Sequence, residues 1–144
     1  MRSEEFFLVQ RKRGKSKPEK GLVLVVDDEA IMRKIAVKVL TDAGFDVITA
    51  EDGEQGMELF REHHNDIQLV LLDMVLPKKL GRDVYLEMKA IKPDVNVLLN
   101  SGFEVDEAVE ELFKLGVKHF IEKPYTFQAL ANAVHKAVGI KRGE

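Results

Sequence analysis

Residues 22–30 read LVLVVDDEA. Five apolar residues run without alternation into Asp27, Asp28 and Glu29. A strand with one wet face alternates polar and apolar side chains; a strand buried on both faces, as in a parallel sheet, does not. The stretch therefore predicts a central parallel strand with three carboxylates at its mouth. Clustered acids beside a buried strand are costly unless something compensates them.

Outward from this stretch the same pattern occurs five times: a short apolar run, then a longer segment at helical spacing. The apolar runs are 22–26, 47–50, 69–72, 95–99 and 119–121, and the helical segments 29–43, 54–63, 81–91, 105–115 and 126–138. In the first helix Ile31, Ile35, Val39 and Leu40 form the expected inner face. Gly44 and Gly116 stand where left-handed C-caps would end helices one and four. Alternating strands and helices predict an α/β fold, a parallel sheet with helices on both faces. Sites in such sheets lie beyond the carboxyl ends of the strands.

The chain has 144 residues, 45% hydrophobic and 33% charged, which suits one soluble globular domain and a short tail. Residues 1–20 hold seven Lys/Arg against three Glu, net +4. Since the whole chain carries −3, residues 21–144 carry −7. Residues 1–20 are expected to be a basic N-terminal extension or linker, and 21–144 the compact domain. The apolar patch FFLV (6–9) is suited to adding a strand to a sheet edge, in its own chain or a neighbour's. Cysteine is absent, which excludes a disulfide framework and thiolate metal sites. No apolar run approaches the roughly 18–20 residues of a membrane span, and the N-terminus lacks a signal-peptide stretch. A cytoplasmic protein without membrane contact is expected. The basic run 11–17 has no accompanying aromatic or helix-turn-helix signal, so nucleic-acid binding by this domain is not expected.

The residues just after the apolar runs are Asp27 and Asp28, Glu51 and Asp52, Asp73, Ser101, and Lys123 followed by Pro124. Most have a plain reading: Asp27 or Asp28 as a helix cap, Ser101-Gly102 as a turn, Lys123 as a surface lysine. Asp73 resists one, since it follows four apolar residues and precedes Met74, Val75 and Leu76. Together, three acids, a hydroxyl and a lysine converge on one sheet edge. Such carboxylates repel unless a cation joins them. Their oxygens suit a hard ion such as Mg2+, completed by phosphate oxygens. Phosphoryl transfer needs positioning and charge neutralisation. An aspartate can be its nucleophile, forming an aspartyl-phosphate.

These residues resemble the receiver domain of two-component response regulators. The motifs occur in order: VVDDE (25–29), LLDMVLP (71–77) with Gly81 eight residues past Asp73, LLNSG (98–102) and EKPY (122–125). The resemblance covers about residues 21–140. It implies a flavodoxin-like (βα)5 fold, a doubly wound five-stranded parallel sheet in order 2-1-3-4-5. It implies Asp73 as phosphoacceptor, with Mg2+ held by Asp27, Asp28, Asp73 and the backbone carbonyl of Val75, Asp28 the more direct acid of the pair. It implies that Ser101 supplies the switch hydroxyl, that Lys123 pairs with the phosphoryl group, and that Phe120 is the aromatic that turns inward. It implies a cis bond at Lys123–Pro124, where proline lowers the cost. The implied function is a phosphorylation-dependent signalling switch rather than an enzyme with a separate substrate. Its donor would be a sensor histidine kinase or a histidine phosphotransfer protein. Its output face, also used for homodimers in the family, would be helix four, strand five and helix five.

Two departures stand out. The family often has an acid before the glycine at Gly81, whereas here Lys78, Lys79 and Leu80 precede it. Positions flanking the site are apolar, Val75 and Phe103, which implies slow loss of the phosphoryl group. A haloacid-dehalogenase-type phosphatase would need a second Asp where Val75 stands. The remaining alternative is a phosphorylation-independent pseudo-receiver, a protein-interaction module. Such modules typically lose the acids, the acceptor or the lysine, and all are present here.

Overall fold

The structure is a computed structural model describing residues 9–10, 21–102 and 107–139. Its elements are β1 (Val9–Gln10), β2 (Leu22–Val26), α1 (Ala30–Asp42), β3 (Asp46–Ala50), α2 (Gly53–His63), β4 (Ile67–Asp73), α3 (Gly81–Ile91), β5 (Val97–Ser101), α4 (Glu107–Leu115), β6 (His119–Glu122) and α5 (Phe127–Val138). They form one sheet in the order β1-β3-β2-β4-β5-β6. Strands β2 to β6 are parallel, and taken alone they run 2-1-3-4-5, the flavodoxin-like order. No described helix is long and apolar enough to cross a membrane.

The unalternated apolar runs are explained by two cores. Leu24 and Val26 of β2 face a core completed by Met57 and Phe60 of α2, Tyr85 and Met88 of α3, and Val109 and Leu112 of α4. Val23 and Val25 face the other, with Leu40 of α1 and Leu130 and Val134 of α5. Both sides of the strand are thus dry, and each side chain found on one face has an equally buried neighbour on the other.

Helix ends follow local chemistry. Asp52 caps α2 by accepting the Gln55 N–H at 2.8 Å, and Thr126 caps α5 by accepting that of Ala129 at 3.0 Å. Gly44 and Gly116 have φ of 101° and 126°, the left-handed conformation expected of them after α1 and α4.

Two expectations are corrected, and a third is met where its residues are described. Ile31 is 62% exposed; the inner face of α1 is Ala36, Val39 and Leu40. At 3.6 residues per turn Ile31 lies about 140° around the helix from Ala36, because steps of four residues drift off a fixed stripe. Strand β5 starts at Val97 rather than 95, since the Val95 N–H closes a turn onto the Lys92 carbonyl at 2.9 Å. The FFLV patch falls mostly outside the described residues, but its last member, Val9, with Gln10, pairs antiparallel with Ile48 and Val47 of β3.

Candidate functional site

Strands β2, β4, β5 and β6 end on one edge, and their carboxyl ends deliver Asp27, Asp73, Ser101 and Lys123. Asp27 follows β2 and is 2% exposed; its Oδ1 accepts the Glu29 N–H at 2.9 Å, and its carbonyl accepts Arg33 Nη1 at 2.8 Å. Asp73 is the last residue of β4, and its Oδ1 accepts the Val75 N–H at 3.2 Å. Ser101 ends β5, buried, and its carbonyl accepts the Lys123 N–H at 2.7 Å. That bond sets Lys123 just past β6, before a Lys123–Pro124 peptide that is cis.

Lys123 Nζ lies 2.9 Å from Asp27 Oδ2, 2.9 Å from Glu29 Oε1 and 3.1 Å from Asp73 Oδ2. One oxygen from each of these carboxylates lies within 4.8 Å of the others. Burial pushes the Asp73 carboxyl up from 3.8 to about 6, against the pull of the Lys123 charge and the Val75 N–H, with the Asp27 charge adding to the rise. Burial also works against the Lys123 charge. Its hydrogen bonds to Glu29 and Asp27, with the charges of Asp73 and Asp27, outweigh that and hold it above the usual lysine range. Nearby Tyr125 is pushed up to about 12 by burial and by the Asp27 charge.

Gly81 is required by close approach. A Cβ there would sit 2.6 Å from the Asp73 carbonyl oxygen and 2.9 Å from Met74 Cα. The Gly81 N–H donates to the Met74 carbonyl at 3.1 Å, so α3 is fastened to the backbone that carries Asp73. The lysines before it are held by acids: Lys79 by Glu87, and Lys78 by Asp52 at 3.6 Å.

The structure thus brings Asp27, Asp73 and Lys123 together and sets Ser101 on the adjacent strand end. Phe120 is half-buried and meets Phe113 edge-on, centroids 6.4 Å apart. Val75 is 58% exposed, and Phe103 lies outside the described residues. Asp28 is exposed and stands outside the carboxylate cluster, which Glu29 completes instead. The backbone bends at Asp28, where the Glu29 N–H closes onto Asp27 Oδ1, and Asp28 is left exposed while Glu29 reaches Lys123. In the sequence Glu29 is counted among the three carboxylates at the mouth of β2 but given no role at the site.

The description of the response regulator receiver domain family matches residues 23–135. The chain belongs to that family. It is 32% identical over 117 residues to the chemotaxis protein CheY of Bacillus subtilis, covering 81% of this chain and 96% of that protein. It is 34% identical over 108 residues to the probable transcriptional regulator ycf27 of Porphyridium aerugineum, covering 75% of this chain but 44% of that one. Among solved structures, a chain of the CheX-CheY-BeF3-Mg+2 complex from Borrelia burgdorferi superposes with a TM-score of 0.78 at 29% identity, over 84% of this chain and 90% of that one. The fold, the acidic cluster and the family together support a phosphoacceptor role in two-component signalling.

Proposed function

We propose that this chain is a cytoplasmic, phosphorylation-dependent switch that takes a phosphoryl group onto Asp73 from a sensor histidine kinase or a histidine phosphotransfer protein. The observation that carries this reading is the Lys123 ammonium seated among Asp27, Glu29 and Asp73 at the strand ends. Above pH about 6 the Asp73 carboxylate is ionised and can act as a nucleophile. One of its oxygens forms the new O–P bond as the P–N bond to the donor imidazole breaks, and the electron pair returns to the ring nitrogen. The all-oxygen donor set fits a hard divalent ion such as Mg2+. Asp27, Asp73 and the Val75 carbonyl would hold it, with Asp28 the further ligand that the family resemblance names. When bound, Mg2+ neutralises charge between the acids and the incoming phosphoryl oxygens.

The new group adds about −1.5 to −2 charges and three acceptor oxygens. Lys123 then pairs with a phosphoryl oxygen, the Ser101 hydroxyl donates to another, and Phe120 turns inward, so that the face of α4, β6 and α5 changes shape. That face is also the proposed homodimer contact. The chain acts on itself and has no separate substrate.

The test is intact mass after incubation with acetyl phosphate and Mg2+. One phosphoryl adduct is expected, absent in Asp73→Asn and in chelator. Its decay is expected to be slow and to quicken in Val75→Asn. No adduct on folded, Mg2+-bound protein would replace this reading with the pseudo-receiver.

A further inference from the structure

An ammonium has three N–H donors, and Lys123 meets three carboxylates, Asp27, Glu29 and Asp73. It is fully engaged. A phosphoryl oxygen on Asp73 can reach it only if one of these contacts gives way. The three differ in what release costs. The side chains of Asp27 and Asp73 are 2% and 7% exposed, and stripping a buried carboxylate of its partner is strongly unfavourable. The Glu29 side chain is 55% exposed, so water replaces the ammonium at small cost. Glu29 also stands at the N-cap of α1 without making a side-chain cap bond, its carboxylate being turned to Lys123 instead.

Resting on the receiver reading above, we infer that Glu29 is a positioning residue for the switch. It holds Lys123 over the carboxylates in the unphosphorylated state and gives it up to the phosphoryl group, and so biases the chain toward the unphosphorylated state. Charge removal at Glu29 alone would not separate this role from a general change in the field of the site. A double-mutant cycle with Lys123 does.

The experiment measures binding of beryllofluoride, a phosphoryl mimic, to the full chain at saturating Mg2+ by calorimetry. Glu29→Ala is expected to tighten binding about two- to fivefold, the range of an exposed ion pair. Glu29→Gln, whose amide oxygen still accepts a hydrogen bond, should tighten it less. In a Lys123→Gln background Glu29→Ala should change nothing. In the unliganded protein, NMR of the Lys123 ammonium should show faster hydrogen exchange in Glu29→Ala than in the parent chain. Equal affinities, equal changes in both backgrounds, or unchanged exchange would overturn the inference while leaving the receiver reading intact. Failure of the parent chain to bind beryllofluoride would overturn both.

Discussion

Asp73 is a carboxyl held at 5% exposure at the end of a strand, and its environment makes a stability prediction. Its pKa in the folded chain is about 6, against 3.8 ordinarily, with burial the leading cause. Below 3.8 the group is neutral folded or unfolded. Between 3.8 and about 6 the folded chain keeps a proton that the unfolded chain releases. Above about 6 both states are charged and the full burial penalty stands, so this contribution to stability is lost as pH rises through 6. Asp73→Asn should therefore stabilise the metal-free protein at pH 8, on the order of 2–3 kcal/mol, and the gap should close toward pH 4. Urea unfolding of both proteins in chelator checks this. A gap that is absent or does not change with pH would count against it. Asp73, Asp27 and Lys123 were legible because each follows an apolar run whose burial fixes where it ends. Glu29 was not, because its place depends on a side chain reaching across to a lysine 94 positions away.

At the scale of elements, the joint between α3 and β4 decides whether Asp73 is presented correctly. Helix propensity alone favours Gly81→Ala by about 1 kcal/mol. The contacts oppose it, because the added Cβ would meet backbone atoms of Asp73 and Met74 at 2.6–2.9 Å, with no flexible side-chain tip to move aside. Overpacking of this kind costs about 1–3 kcal/mol, so the clash should win. Gly81→Ala is expected to lower the urea midpoint and to slow phosphoryl uptake from acetyl phosphate. A midpoint raised by the substitution would show that α3 can shift without strain. The repeated strand–helix pattern was readable because the central strands β2 and β5 are dry on both faces, and Gly44 and Gly116 marked the ends of α1 and α4. What failed were fine registers: the Ile31 stripe, which ignored helical drift, and the start of β5, where a turn at Lys92–Val95 took residues that look like strand.

At the scale of the whole molecule, the five parallel strands end at β3 on one side and β6 on the other, and the chain covers β3 with its own β1. That pairing joins residues separated by almost forty positions, and no local spacing signals it; only the apolar FFLV patch hinted at it. It also ties a segment of net +4 to a domain of net −7. A two-residue ladder adds little stability, about 1 kcal/mol per hydrogen bond. Its larger effect is to occupy N–H and C=O groups on β3 that would otherwise be open to another chain. Replacing both Val9 and Gln10 by proline removes whichever N–H faces β3. The double variant should unfold close to the parent temperature and take phosphoryl groups at the parent rate, since Asp73 lies on β4, two strands in from that edge. Its weight-average mass by light scattering should rise with concentration more steeply than the parent's, through β3-to-β3 pairing. If the two masses coincide across the range, the β3 edge is not an association site.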